Sequence, residues 1–500
     1  MKSKYDLKSV ACIGCGVIGA GWVARLIENG IDVIVHDISD KTPSTLKKTL
    51  ENAEIAYSNL TALPRLNRGK TLIVNSVAEA VKDVELIIES IPERAELKHL
   101  LYEEIEKACR EDALIASSTS GILPSKLQKH MKKPGRFFVG HPFNPVYLLP
   151  LVEVVGGEKT FQSTITKAME IYKSLSMHPI YIKKEIEAFV ADRLLEAIWR
   201  EALWLIKDGI CTTAELDDIV RLGFGLRYAQ MGVFETYRVA GGEKGMRHFL
   251  EQFGPCLKWP WTKLTDVPDF TKELVELISS QSDSQSGDLS ISLLERKRDA
   301  NIVAIQKALK SNNWGVGQNL LNYEQKLKKL ASANLNAEAQ LFDGVKTLLR
   351  RVPSDWGDYN GHMNEARYLD CFCEATDEFM KIIGCDEKYV SAGNSYFTAE
   401  THIRHMRETK IGQVVTITTI LIAGEGKKMH LFHNMRNEEQ EICATGEHML
   451  IHVSLETRTA CPPTANVTKK LREMQSRHSK FPRPHGLGRS VGTTREAQQA

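Results

Sequence analysis

The sequence predicts an α/β protein: a doubly wound domain with a mostly parallel sheet, then an all-helical domain, then an α+β domain with one helix on an antiparallel sheet. Three observations carry this. Over residues 1–184 short apolar runs alternate with helical patterns, the rhythm of parallel strands joined by crossover helices. Over 185–325 amphipathic helical periodicity takes over, as in Phe189–Ile206, Ala214–Val220 and Ser290–Leu309. Over 340–468 one helix-like run, Glu365–Ile383, precedes four strand-like runs: Ser395–Met406, Gly412–Ala423, Met429–Asn437 and Glu441–Ser454. The polar stretch Glu324–Glu338 reads as a connecting helix or a linker. From Lys469 to the end the chain is basic and poor in apolar residues, so 469–500 reads as a solvated, disordered tail.

The first domain is organised around Val10-Ala-Cys-Ile-Gly14-Cys-Gly16-Val17-Ile18-Gly19. An apolar strand runs into Gly14-x-Gly16-x-x-Gly19, an amphipathic helix follows, and a second apolar run, Ile31 to Val35, ends at His36-Asp37. Gly14 suits a tight turn, Gly16 the close approach of a pyrophosphate, and Gly19 the packing of helix on strand. The helix start offers unpaired N–H groups and the positive end of its dipole. Asp37, 21 residues after Gly16, stands where a carboxylate accepts from a ribose 2′-hydroxyl and repels a 2′-phosphate. Strand, triplet, helix, strand and acid in this order predict a Rossmann-type NAD site. A glycine turn without a ligand leaves the acid unexplained.

Bulk properties narrow the rest. Five hundred residues exceed one hydrophobic core. A net charge of +2 argues for neither nucleic acid nor an anionic membrane as partner. The polar start, Met1 to Lys8, is no signal region, and no run approaches the ~18 apolar residues of a membrane span. Ten cysteines in so long a chain are no disulfide framework; Cys12-x-x-Cys15 falls on the strand and glycine turn and reads as packing. The expected home is a reducing cytoplasm. No metal is called for.

Three further segments suit oxidation of an alcohol. Ser117-Ser-Thr-Ser120 follows a strand at the edge where ligands of such sheets sit, His141-Pro-Phe143-Asn144 follows the next strand, and Glu153 lies on the one after. Hydride transfer needs a base for the hydroxyl proton, and histidine titrates near working pH. A carboxylate on its far nitrogen fixes the tautomer, and a serine hydroxyl steadies charge on the substrate oxygen. Taken singly, each has an ordinary structural use: a lone histidine after a strand, a serine capping a helix.

Residues 1 to about 320 resemble the L-3-hydroxyacyl-CoA dehydrogenase superfamily. The landmarks are the glycine triplet, Glu89-Ser-Ile-Pro-Glu93 with Lys98, Ser117-Ser-Thr-Ser120, His141-Pro-Phe-Asn144-Pro, Leu151-Val-Glu153 and Phe189-Val-Ala191-Asp192-Arg193. The resemblance implies His141 as base, Glu153 as its partner, Ser120 as the contact to the reacting oxygen and Asn144 in the same site. It implies Glu93 and Lys98 lining the cofactor cleft, and a helical domain that makes a homodimer. Asp192 departs from the acyl-CoA enzymes, which have asparagine there. A carboxylate suits a cationic substrate, and aromatic faces hold quaternary ammonium groups. Phe143 lies two residues past the base, and Trp199, Trp204, Tyr228, Phe234 and Tyr237 follow. Trp199 and Trp204 read as helical-domain core. The run Ala191-Asp-Arg-Leu-Leu-Glu-Ala197 resembles the branch that oxidises L-carnitine, with Ala191, Asp192, Phe143 and Asn144 as substrate contacts. Asp192 has an internal alternative, a pair with Arg193 or Arg200.

Asp355-Trp-Gly-Asp358-Tyr-Asn360-Gly-His362-Met-Asn364 opens the third domain. Asp-x-Asn-x-His is unspecific alone, and Asp358 has a plain use as a helix cap. With the long helix and four strands behind it, the segment resembles the hotdog-fold acyl-CoA thioesterases. That implies Asp358 as catalytic carboxylate, with Asn360 and His362 orienting water or the thioester carbonyl, and a site between two subunits. Glu374 on the helix is the reserve acid. Together the resemblances imply NAD-dependent oxidation of L-carnitine to 3-dehydrocarnitine, with hydrolysis of betainyl-CoA to glycine betaine. The alternatives are an L-3-hydroxyacyl-CoA or L-gulonate-type dehydrogenase with a general acyl-CoA thioesterase, and a non-catalytic, crystallin-like role.

Overall fold

The computed structural model describes residues 7–240, 245–253, 262–263, 269, 271–286, 288–337 and 344–491. The chain forms two compact units: one reaches Tyr323 without residues 57–66, and the other comprises 57–66 and the chain from Glu324.

The first unit is built on an eight-stranded sheet: β1 (Ser9–Ile13), β2 (Asp32–His36), β3 (Thr71–Ile73), β4 (Leu86–Glu89), β5 (Leu114–Ser117), β6 (Phe137–Pro142), β7 (Leu151–Val155) and β8 (His178–Ile182). Their order is β3-β2-β1-β4-β5-β6-β7-β8, parallel throughout except where β6 meets β7. Strands covered on both faces read as unbroken apolar runs, and β4 and β5 are buried along their whole length. Trp22, Leu26, Phe138 and Tyr172 pack one face; Tyr102, Ile105, Ile115 and Phe137 pack the other. Chain order reverses between β2 and β4 on either side of β1, so a crevice opens at the carboxyl ends of β1 and β4. The fold class read from the sequence is the one observed.

Helices follow over Ala191–Lys207, Thr213–Ile219, Ile291–Ser311 and Val316–Ala337. A capping box between Thr212 and Glu215 starts the second of these, and the Ser290 side chain caps the third. The polar stretch after Glu324 is helix to Ala337; Glu338 lies outside the described residues. Trp199, expected in the helical core, is 57% exposed on an apolar stripe with Leu194, Leu195 and Ile198. Trp204 is half-buried under the ammonium groups of Lys207 and Lys263.

The second unit has strands β9 (Val345–Arg351), β10 (Asn394–His405), β11 (Val414–Ala423), β12 (Lys428–Arg436) and β13 (Ile442–Ser454), in the antiparallel order β10-β13-β12-β11-β9. The helix Glu365–Ile383 lies on this sheet, capped by the Asn364 side chain and ended by Gly384 at φ 95°. It buries Tyr368, Cys371, Phe372, Ala375, Phe379 and Ile383, the i, i+3, i+4, i+7 pattern of one helix face. Gly446 on β13 admits it: a Cβ there would stand 2.9 Å from the Phe372 ring.

Two expectations are corrected. The edge strand β9 was not foreseen. The tail, read as disordered from Lys469, is ordered through the described residues to 491. The helix Ala465–His478 buries Val467 and Leu471 in the core of the second unit. His478 Nδ1 accepts from the Leu421 N–H at 2.8 Å, and Glu447 accepts from the Gly488 N–H at 2.9 Å. Its basic residues line the outward side, so overall composition concealed a narrow apolar stripe. Residues 492–500 lie outside the described set.

Candidate active sites

The glycine turn closes the carboxyl end of β1 against that of β4. Gly14 sits at φ 86°, and a Cβ on it would lie 2.6 Å from the Ser90 carbonyl oxygen. A Cβ on Gly19 would lie 1.9 Å from the Gly14 carbonyl oxygen, so the helix Val17–Glu28 starts pressed onto the turn. Gly16 faces open space, leaving its backbone and the first helical N–H groups, beginning at the exposed Val17 and half-buried Ile18, free for a pyrophosphate. Asp37 is half-buried at the end of β2; it accepts from the Cys15 and Ser39 N–H groups and keeps lone pairs for a ribose. These residues fit NAD. Cys12 and Cys15 are free and buried; burial and the nearby Asp37 push the Cys15 thiol up to about 11, so neither is a redox group.

Below the crevice a buried polar network holds the Ser120 loop. Glu89 is wholly buried and accepts from Lys98 Nζ (2.6 Å), Tyr102 Oη (2.7 Å), Ser117 Oγ (2.6 Å) and the Ile91 N–H (2.8 Å). Lys98 also reaches the Ile91 carbonyl and, at 3.4 Å, Glu93. With its side chain 1% exposed, Lys98 does not line a cleft as expected; a lysine ammonium at this depth needs paired carboxylates. Glu93 is open to solvent on one side, and its Oε1 accepts from the Thr119 hydroxyl, the Ser120 N–H (3.1 Å) and the Gly121 N–H (3.3 Å). Ser120 itself is exposed at the end of β5.

His141 and Glu153 meet by strand register. They are direct partners across the antiparallel β6–β7 pair, and His141 Nδ1 lies 2.9 Å from Glu153 Oε2, both side chains nearly buried. With Glu153 ionised, Nδ1 carries the hydrogen and Nε2 keeps its lone pair. The other oxygen, Oε1, accepts from the Val190 and Ala191 N–H groups, each at 3.1 Å, at the start of the helix Ala191–Lys207. Ala188 and Phe189, both left-handed (φ 60° and 48°), turn the chain into that helix, a conformation costing about 1–3 kcal/mol per residue. Asp192, in the first helical turn, brings Oδ2 to 3.6 Å from His141 Nε2. Burial, with help from Glu153 and Glu196, holds its carboxyl above the usual aspartate range, while His141 opposes the shift. Among the described residues the basic side chain nearest Asp192 is thus His141, and no ion pair joins Asp192 to Arg193 or Arg200. Phe143 and Phe189 flank the imidazole, with ring centroids 4.7 and 5.5 Å away. Asn144 is exposed on the same loop. Of the other aromatics, Tyr228 and Tyr237 meet each other through their hydroxyls at 3.4 Å, and Phe234 is 76% exposed. Sequence reading missed Phe189 as a wall of the site and the helix-start amides that hold Glu153; neither has a spacing that announces it.

The second trio is looser. Asp358, Asn360 and His362 share a turn closed by the Gly361 N–H to the Asp358 carbonyl, with Gly361 at φ 79°. Asp358 Oδ1 accepts from the Asn360 (2.8 Å) and His362 (3.2 Å) backbone N–H groups. The helix cap is Asn364, so Asp358 is not engaged there. The His362 ring turns to Glu408 (3.2 Å), and Asn360 is exposed. The reserve acid Glu374 is ion-paired with Arg350 on β9. An unforeseen pair, His430 Nε2 with Glu447 Oε1 at 2.8 Å, shares its carboxylate with the Gly488 N–H. Among the described residues, no group of three or more His, Cys, Asp or Glu is placed to hold a metal, and no helix is long and apolar enough to cross a membrane.

Known proteins account for both arrangements. Residues 9–186 match the family described as 3-hydroxyacyl-CoA dehydrogenase, NAD binding domain; residues 189–270 match 3-hydroxyacyl-CoA dehydrogenase, C-terminal domain; residues 352–472 match the thioesterase-like superfamily. The L-carnitine dehydrogenase/betainyl-CoA thioesterase of Ruegeria pomeroyi is 49% identical over 485 residues, 97% of this chain and 99% of that protein. The L-carnitine dehydrogenase of Mesorhizobium japonicum is 56% identical over 331 residues, 65% of this chain and 91% of its own. Among solved structures, the NAD-dependent dismutase 5-formyl-3-hydroxy-2-methylpyridine 4-carboxylic acid 5-dehydrogenase aligns at a TM-score of 0.52 and 27% identity, covering 61% of this chain and 99% of that one. The chain belongs to the L-carnitine dehydrogenase/betainyl-CoA thioesterase family, in which NAD-binding and C-terminal domains of the 3-hydroxyacyl-CoA dehydrogenase type are continued by a thioesterase-like domain.

Proposed function

We propose that the first unit oxidises the 3-hydroxyl of L-carnitine to 3-dehydrocarnitine and that the second hydrolyses betainyl-CoA to glycine betaine and CoA. NAD, held by Gly14, Gly16, Val17, Ile18, Gly19 and Asp37, accepts the hydride when bound. His141 Nε2 takes the hydroxyl proton. Glu153 keeps the ring in the tautomer that leaves this nitrogen free, and stabilises the imidazolium that forms. Ser120 contacts the reacting oxygen on a loop held by Glu93, and Lys98 supports Glu93 from below. Phe143, Asn144, Ala191 and Asp192 contact substrate, Asp192 toward the trimethylammonium group. The observation that carries this reading is the 2.9 Å pair between His141 and Glu153, with an acid rather than an amide beside the free nitrogen.

In the second unit Asp358 acts on the thioester as base or nucleophile, with Asn360 and His362 orienting water or the carbonyl. The domains run 1–184, 185–325 and 340–468, the last continued by the helix Ala465–His478 that packs into its core. The chain works as a homodimer through the apolar stripe Leu194, Leu195, Ile198 and Trp199, and in a reducing cytoplasm, as the free thiols of its described cysteines suit. Purified chain should reduce NAD with L-carnitine but not with 3-hydroxybutyryl-CoA or L-gulonate, and should hydrolyse betainyl-CoA. Inert carnitine overturns the first assignment; inert betainyl-CoA overturns the second.

A further inference from the structure

We infer that Asp192 is the proton exit of the dehydrogenase: it takes from His141 Nε2 the proton that His141 removes from the substrate, and hands it to solvent. The inference rests on the proposed alcohol oxidation. In that reaction the O–H bond breaks as the carbonyl forms and the hydride leaves to NAD, so each turnover deposits one proton on His141. The base must lose it before the next turnover.

The imidazole itself offers solvent little surface. Its side chain is 6% exposed and walled by Phe143 and Phe189. Glu153 is a closed end: it is 3% exposed, one oxygen holds Nδ1, and the other holds two helix N–H groups. Asp192 is different. It faces the nitrogen that receives the proton, 3.6 Å away, and its side chain is 25% exposed. Of the two carboxylates paired with His141, it alone touches both the ring and water. The gap exceeds a hydrogen bond while Nε2 is neutral and substrate oxygen must fit beside it. Once Nε2 bears the proton and the ketone has left, opposite charges draw the two together. Burial raises the basicity of this carboxyl above that of an ordinary aspartate, which eases the transfer. An asparagine amide could bind there but could not carry a proton.

The test separates proton exit from cation binding. With Asp192→Asn at saturating carnitine and NAD, the first turnover, whatever its rate, should outpace those that follow, because no proton from an earlier turnover has yet to leave His141. Later turnovers should then slow by about tenfold to a hundredfold, giving a burst. Added imidazole or formate should speed this slow phase and leave wild type unchanged. Asp192→Ala, which leaves room for formate, is the second variant and should be rescued more strongly. NAD binding by the same preparations, followed by fluorescence, reports that the first unit is folded. A variant without a burst or buffer response, changed only in KM for carnitine, overturns the inference and leaves Asp192 as a cation contact. Wild type inert toward carnitine would instead be failure of the proposed oxidation, seen before any variant is made.

Discussion

His141 and His362 each stand near a carboxylate in sequence, yet their surroundings differ in kind. His141 lies on β6 opposite Glu153 on β7, and strand register brings the two side chains together at 2.9 Å. His362 leaves a turn whose Asp358 binds the turn's own backbone, and its ring goes to Glu408 instead. A pair set across two strands has one geometry, because slipping by one residue would turn every side chain to the other face. A trio set along one turn has its backbone placed and its side chains free to diverge. The difference teaches that motif spacing foretells a contact well where the residues sit in a sheet and poorly where they sit in a turn.

The comparison can be broken most sharply at the base. His141→Ala should abolish NADH formation in a carnitine assay while NAD binding, followed by fluorescence, and betainyl-CoA hydrolysis persist; loss of all three would mean collapse of the fold. Next in size is Glu153→Gln. Its amide oxygen can still accept from the Val190 and Ala191 N–H groups, but its NH2 faces Nδ1 and reverses the tautomer, so kcat should fall on the order of 10³- to 10⁴-fold with little change in KM. A drop below tenfold would show that the register pair is not the brace.

Asp358 sharpens the other side. Asp358→Ala should stop betainyl-CoA hydrolysis and leave carnitine oxidation intact. Asp358→Asn keeps an acceptor for the turn and removes the charge; it should be slower by about 10²-fold or more if the carboxylate does chemistry. An Asn variant with full hydrolysis would reduce Asp358 to a turn residue.

The smallest effect concerns acid. In the second unit burial holds His433, His448 and His478 below the ordinary histidine range, the last two at about 4. Native chain therefore keeps them neutral where unfolded chain takes up protons. Their contribution to stability is full above about pH 6.5 and is lost progressively as pH falls toward about 4. Thioester hydrolysis surviving a heat step should accordingly drop several degrees between pH 7.5 and 5. An unchanged midpoint would mean these rings are hydrated or already charged.

Much of the fold was legible because its signals are local. Gly14 and Gly19 are required by close backbone approach, Gly16 leaves open space, and β4 and β5 are apolar because both faces are covered. The helix Glu365–Ile383 announces itself by the period of Tyr368, Cys371, Phe372, Ala375 and Phe379. What escaped depends on distant partners. β9, Val-Lys-Thr-Leu-Leu-Arg-Arg, has no clean two-residue alternation, and pairing with β11 makes it a strand. The helix Ala465–His478 has two apolar anchors among basic residues. Lys98 reads as a cleft cation until Glu89, nine residues earlier, is found beside it, and the hold of Glu93 on three donors of the Ser120 loop has no spacing that announces it.

Glu153 grips with both hands: one oxygen on the imidazole, the other on the first amides of a helix belonging to the next domain. The seam at residues 186–190 is thus part of the oxidation machinery rather than a neutral joint. Dividing the protein there to obtain a free nucleotide-binding half would strip the glutamate of two anchors and set its histidine wandering.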